Sequence, residues 1–335
     1  MIWSRTVLVA LCLMGVTAPL AQAGPKLLFE PVNGSVLYAE DIDDQWYPAS
    51  LTKIMTAYVV FEALKAGRIT PETKVTTSEA AHAQPPSKVG LPVGGQMSVE
   101  LALQALIIKS ANDVAVMLAE AVGGSEQDFV ERMNSTARRL GMTNTRFVNP
   151  HGLPASEQVT TARDMAKLSI AIVRDFPEYR HLWTQTEFRI GKRRLGTHNS
   201  LLKTYEGADG LKTGFICDAG FNMVASATRN GRQLMVVVFG EPSGQERALR
   251  ASSLLDHGFA TYGWKMLFGT PSLDTLPVSS DPKPVVSVRD TVTSWSCGGR
   301  RPARVAKKGG TRKPATKSKT SAAAAPQSQS GASAN

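Results

Sequence analysis

A chain of 335 residues with 42% hydrophobic content is long enough to bury one sizeable core. Its formal charge of +10 is not spread over that core: nine Lys and Arg and no acid lie between Thr291 and Asn335, Arg5 is one more, and residues 24–290 hold 28 basic against 28 acidic residues. The high pI thus belongs to the tail and gives no sign of a nucleic-acid groove on the body, so no nucleic-acid partner is expected; five scattered histidines with three cysteines give no metal-ligand spacing, so neither metal nor other cofactor is expected.

The chain starts with a short, weakly basic stretch, an apolar run from Thr6 to Leu20, and small residues at Ala21 and Ala23. That is the pattern of a secretory signal over residues 1–23, and it implies an exported protein of the periplasm or cell envelope. Leu11 before Cys12 does not fit a lipoprotein site, and no later run reaches the roughly 18 apolar residues of a membrane span. Two cysteines, Cys217 and Cys297, then remain; two such distant thiols make no disulfide framework, and Cys217 reads as a small buried hydrophobe.

From Lys26 to Glu40, two alternating runs flank Asn33-Gly34 and predict a β-hairpin. A helix is predicted from Ser50 to about Ala66, stopped by Gly67, followed by a long polar connection over 71–97. "MSVELALQALIIKSANDVAVMLAEAVGG" is helical on both sides of "KSAND", where Ser, Asn and Asp favour a break and a new start. Further helices are predicted over 126–140, with Ser125 as cap, and after Thr161. The period then changes to two: a hairpin about Gly191-Lys192, and three strands, "GLKTGF", "GFNMVASATR" and "RQLMVVVFG", the last two joined by Asn230-Gly231. A closing helix follows over "SGQERALRASSLLDHGFATYG". Strands at both ends with helices grouped between them predict an α+β domain over 24–265, with an antiparallel sheet and helices on its faces. Residues 266–296 are a poorly defined extension with room for a strand or two, and 297–335 read as a disordered basic tail.

Three short stretches carry chemistry. Ser50 and Lys53 share a helix face at i and i+3, and a serine nucleophile needs a base within about 3 Å. A helix N-terminus adds N–H groups suited to an oxyanion. "SAN" at Ser110 to Asn112 falls at the predicted helix break, and "KTG" at Lys212 to Gly214 falls in a predicted strand. Each alone reads equally as a cap or a solvated lysine. Together, in this order, S-x-x-K, S-x-N and K-T-G are the signature of penicillin-interacting serine enzymes.

Through these motifs, and through "PASLTKIMTAY", "IIKSANDVAVMLAE", "FVNPHGL" and "GADGLKTGFICDAGFNMVASATR", the chain resembles the low-molecular-mass penicillin-binding proteins, serine-type D-alanyl-D-alanine carboxypeptidases, from about Lys26 to Gly263. The resemblance implies the penicillin-binding protein/β-lactamase-like fold and a two-step acyl transfer on peptidoglycan stem peptides ending in D-Ala-D-Ala, with β-lactams as covalent inhibitors. Ser50 would attack, Lys53 would take its proton, and backbone N–H groups of Ser50 and Phe215 would hold the oxyanion. Ser110 would relay a proton to the leaving D-alanine, with Lys212 supporting it. Asn112 would bind the substrate amide, Lys212 and Thr213 its carboxylate, and Gly214 would let the substrate lie along the strand.

Alternatives of the same chemistry are D,D-endopeptidase action on cross-links and β-lactamase action. The second lacks the E-x-x-L-N stretch that class A enzymes use, since "ERMN" at 131–134 has no Leu. A non-catalytic wall-binding module would not need Ser50, Lys53, Ser110 and Lys212 together. The two-domain relatives continue into a β-rich domain and an amphipathic anchor, for which about 70 residues leave little room here. The basic tail suits weak contact with an anionic wall polymer or membrane surface, or is an inert solubilising segment.

Overall fold

Strand alternation sorts the side chains of the sheet onto two faces, and each face meets helices. In the computed structural model, which describes residues 24–267, 269–294 and 297, β1 (Lys26–Phe29) and β2 (Val36–Glu40) form the first predicted hairpin. β1 also pairs with β9 (Arg232–Glu241), which pairs with β8 (Gly220–Arg229), which pairs with β7 (Ala208–Ile216). The resulting five-stranded antiparallel sheet has the order β2-β1-β9-β8-β7, so β7 is an edge strand. Leu28, Leu234, Val236 and Val238 point to one face and pack on Ala251, Leu254 and Leu255 of α9 (Gly244–Leu267). Leu27, Phe29, Met235, Val237 and Phe239 point to the other and join the main helical core.

That core is centred on α1 (Thr52–Lys65). Eleven of its fourteen residues are buried, from Thr52 to Phe61 and Ala63, which is why its sequence shows no polar stripe. α4 (Asn112–Gly123) and the π-helical turn over Ala105–Lys109 pack on α1, and α3 (Val99–Gln104) leads into that turn. α5 (Glu126–Arg139) buries Phe129, Met133, Thr136 and Ala137 along one stripe, and Ser125 caps it by accepting from the Asp128 N–H. Thr161 caps α6 (Ala162–Asp175) in the same way, through the Asp164 N–H.

The long connection over 71–97 is more ordered than its composition suggests. It holds β3 (Lys74–Thr76) and β4 (Gln96–Ser98), paired with each other, and a one-turn helix α2 (Glu79–Ala83). Each is three to five residues long, too short for periodicity to register. Short α7 (Arg180–Thr184) and α8 (Leu201–Thr204) escape the sequence reading for the same reason. The hairpin about Gly191-Lys192 is present as β5 (Glu187–Ile190) and β6 (Arg193–Gly196).

The extension after α9 contains no strand among its described residues. It is an extended strap held by hydrogen bonds to the domain, with one 3-10 turn at Arg289–Thr291. Arg163 of α6 anchors its start: the guanidinium grips the Asp43 carboxylate through Nε and Nη2 at 2.7 and 3.0 Å, and donates to the carbonyls of Leu273, Leu276 and Pro277. The end of the strap corrects the reading of the cysteines. Cys217 and Cys297 form a disulfide across 80 residues of sequence, and Cys217 is only half-buried rather than a core residue. An even pair at long range carries no spacing signal; only the strap's path brings the thiols together. The predicted signal over 1–23 and the basic tail from 298 onward lie outside the described residues.

Candidate active site

The three motifs sit on three separate elements that converge. Ser50 lies in the 3-10 turn Ala49–Leu51 that leads into α1, two residues before the α-helix proper. Ala49 has φ +48°, and the loop of "FVNPHGL" backs it closely. A Cβ on Gly152 would stand 1.9 Å from the Ala49 carbonyl oxygen, so only glycine fits there. Ser110 ends the π-turn in the left-handed region, φ +60° and ψ +39°. Both left-handed non-glycine residues cost about 1–3 kcal/mol, a strain typical of sites that aim a side chain. Lys212, Thr213 and Gly214 lie on edge strand β7. A Cβ on Gly214 would meet the Pro48 oxygen at 3.0 Å and the Ser50 nitrogen at 3.1 Å, so β7 runs directly against the backbone of Ser50.

The side chains form one polar cluster. Lys53 Nζ lies 3.0 Å from Ser50 Oγ, 2.8 Å from Asn112 Oδ1 and 2.5 Å from the His151 carbonyl oxygen. Lys212 Nζ lies 2.9 Å from Ser110 Oγ and also donates to the Thr213 carbonyl at 3.1 Å. Asn112 is held in turn, its Nδ2 donating to the Pro85 carbonyl at 2.9 Å. Ser110, Asn112 and Thr213 are buried, Lys53 and Lys212 almost completely so, and Ser50 is half-buried. Phe215 is half-buried with its ring stacked on Phe221 at 4.2 Å, and Phe215 pairs with Phe221 across β7 and β8.

Electrostatics give the cluster its character. Burial, reinforced by the Lys212 charge, drives the Lys53 ammonium well below its ordinary pKa, and Asp113 opposes this only in part. Burial and then the Arg247 charge bring Lys212 down to about 7. Asp113 does not pair with either lysine, because its carboxylate accepts the backbone N–H groups of Val89, Gly90 and Val114. A neutral Lys53 reverses its bond to Ser50 and accepts the hydroxyl proton, which is the state a base requires.

Four contributors lie outside the short motifs. Arg247 of α9 is buried with no carboxylate within salt-bridge distance among the described residues; its Nη atoms reach only the Asn222 and His198 carbonyls at 3.4 Å, and its Nε has no partner. Burial lowers even this guanidinium to about 10. His151 presents its carbonyl to Lys53, while its ring, dehydrated and facing the Lys53 charge, is held neutral with a pKa of about 3. Asn222 donates to the Tyr47 carbonyl at 2.9 Å, fixing the approach to Ser50. Asp113 organises the loop around Val89, beside Asn112. The unbroken text around "SAN", "NPHG" and "GFN" is the only sequence signal for three of these, and Arg247 has none.

A family model described as D-alanyl-D-alanine carboxypeptidase matches residues 13–243. The D-alanyl-D-alanine carboxypeptidase DacA of Haemophilus influenzae is 40% identical over 254 residues, covering 74% of this chain and 64% of its own length. That of Streptomyces sp. strain K15 is 30% identical over 264 residues, covering 73% of this chain and 90% of its own. Among solved structures, penicillin binding protein 5 from Haemophilus influenzae superposes with TM-score 0.69 at 39% identity, covering 73% of each chain. Penicillin-Binding Protein D2 from Listeria monocytogenes in its ampicillin-bound form superposes with TM-score 0.63 at 30% identity, covering 71% of this chain and 97% of its own. The expected α+β fold is thus the fold of these proteins. The chain spans 64% and 63% of the length of two of the curated relatives it matches, less than two thirds in each.

Proposed function

This chain belongs to the D-alanyl-D-alanine carboxypeptidase family, and from that premise we propose that it hydrolyses the terminal D-Ala-D-Ala bond of peptidoglycan stem peptides through an acyl-enzyme on Ser50. The observation that carries the reading is the cluster itself: Ser50 Oγ lies 3.0 Å from a buried Lys53 whose pKa is depressed, with the basic side chains of Lys212 and Arg247 buried nearby.

In this reading Ser50 attacks the carbonyl carbon as neutral Lys53 accepts its proton. The oxyanion forms against the N–H groups of Ser50 and Phe215. Collapse breaks the C–N bond, and the leaving D-alanine nitrogen takes a proton relayed by Ser110, whose Oγ is held at 2.9 Å by Lys212. Water then releases the acyl group and restores Ser50. Asn112 steadies both Lys53 and the substrate amide. Buried cations with no carboxylate at salt-bridge distance among the described residues favour a substrate that brings its own: Lys212 and Thr213 receive the terminal carboxylate, with Arg247 adding charge from behind. The edge strand β7 pairs with the extended peptide.

β-Lactams acylate the same serine; the ampicillin-bound relative above shares this fold. The disulfide supports export to an oxidising compartment, the periplasm or cell envelope. The basic tail makes weak salt-sensitive contacts with anionic wall or membrane surface.

The test is to incubate the protein with a labelled penicillin and locate the label by mass spectrometry. Label on Ser50, absent from Ser50→Ala and long-lived, is expected. Label elsewhere, or rapid turnover without an adduct, overturns the reading.

A further inference from the structure

Besides its ties to Gly34, Arg163 and Pro242, the strap, described over 271–294 and at 297, meets the catalytic domain at two places near the proposed oxyanion donors. At the first, it borders the segment leading to Ser50. The Ser279 N–H donates to Asp43, the Lys283 N–H donates to Asp44, and the Lys283 carbonyl accepts from the Gln45 N–H, all at 2.9–3.0 Å. At the second, it clamps the turn that follows β7. The Val288 N–H donates to the Asp218 carbonyl at 3.1 Å, Ser287 Oγ donates to the Asp218 carboxylate at 2.7 Å, and Arg289 grips that carboxylate through Nε and Nη2. The Cys217–Cys297 disulfide closes the same turn, two residues after Phe215.

The two anchor points are also joined directly: Trp46 Nε1 donates to the Ala219 carbonyl at 2.9 Å. The free end of an edge strand is otherwise the most mobile part of a sheet, because it has one neighbour only. Beyond Ile216 the chain turns back at once into β8, and the strap is bonded to that turn at Cys217 and Asp218, leaving the edge of β7 itself open.

The geometry points to the strap as a positioning element: through Asp218, Arg289 and the Cys217–Cys297 disulfide, it sets the distance between the Phe215 and Ser50 N–H groups that receive the oxyanion. None of these three groups hydrogen-bonds Ser50, Lys53, Ser110, Asn112 or Lys212. They act on the reaction through the backbone at Phe215, next to Gly214, which lies so close to Ser50 that a Cβ there would stand 3.1 Å from the Ser50 nitrogen. The inference rests on the Ser50 reading above.

The test compares the full chain with Cys217→Ser/Cys297→Ser, using single-turnover acylation by a labelled penicillin, with active sites titrated. Loss of an oxyanion donor costs about 100- to 1,000-fold, and loosening one costs less; roughly a tenfold fall in the acylation rate constant is expected, with the dissociation constant of the non-covalent complex changed less than about twofold. A role in stability alone lowers the melting temperature and the titrated fraction, but leaves the rate constant per titrated site unchanged; that result overturns the inference. If the double serine variant does not fold, Asp218→Asn keeps the disulfide, removes the ion pair, and is expected to slow acylation about threefold on the same scale; an unchanged constant there overturns the inference equally. Wild-type label away from Ser50 overturns the reading of the site itself, whereas label on Ser50 with equal rate constants overturns only the role of the strap.

Discussion

Two regions of this molecule bury cations, and they treat them in opposite ways. At the start of the strap, Arg163 and Asp43 are both about 5% exposed, locked in a bidentate pair, and the remaining guanidinium protons meet three carbonyls. In the active site, Lys53, Lys212 and Arg247 are as deeply buried, yet none has a carboxylate within salt-bridge distance among the described residues. The first arrangement satisfies its charges and stabilises the fold. The second leaves them unsatisfied, lowers their pKa values, and thereby prepares a base and an anion site at the expense of stability. Burial alone does not make a residue structural; the partner decides.

The widest separation of the two regions should come from Lys53→Met. Acylation should fall roughly 10,000-fold, about 5.5 kcal/mol in activation free energy, while the unfolding free energy holds or rises, because burial disfavours the lysine's charge that the unfolded chain keeps. Stopped-flow acylation and urea unfolding on the same variant measure both, and a large loss of stability would break the contrast. In the strap, Cys217→Ser/Cys297→Ser opens an 80-residue loop, for which the chain-entropy relation gives about 4.5 kcal/mol of lost stability. Thermal melting with and without reductant reads it, and wild type under reductant should match the variant. Arg163→Met strands the Asp43 carboxylate and should cost about 3–5 kcal/mol. Adding Asp43→Leu should recover much of that, since a matched apolar pair replaces the ion pair; no recovery would mean that the strap carbonyls, not the carboxylate, are what Arg163 holds.

The smallest effect is on acid stability. The His151 ring has a folded pKa of about 3 against the ordinary 6.5, so between those values the unfolded chain carries the extra proton and falling pH favours unfolding. Its share of the stability lost from pH 7 to pH 5 is about 2 kcal/mol. His151→Gln should flatten that part of the pH profile, and an equally steep profile in the variant would assign the slope to other groups.

Much of this architecture is legible in the chain. Asn230-Gly231 and the alternation of "RQLMVVVFG" give β8 and β9 with their turn, and Ser125 and Thr161 mark helix starts to the residue. The break at "KSAND" is legible because Ser and Asn compete for backbone hydrogen bonds, although the π-turn and the left-handed Ser110 that make the break are not. The connection over 71–97 was opaque because elements of three to five residues carry no period. Arg247 and the strap were opaque for a different reason: the strap's ties reach up to 239 positions along the chain, as from Asp44 to Lys283, and no local pattern encodes such a meeting.

By itself, then, the sequence determined the order of the longer elements, the antiparallel sheet and the identity of the motif residues of the candidate site, because turn chemistry, periodicity and three short motifs are local properties. Tertiary structure decided which of those residues meet, that Lys53 and Lys212 have no carboxylate at salt-bridge distance among the described residues, and that Cys217 joins Cys297. Charge state, pairing and disulfide formation depend on distance in space, and only the fold sets that distance.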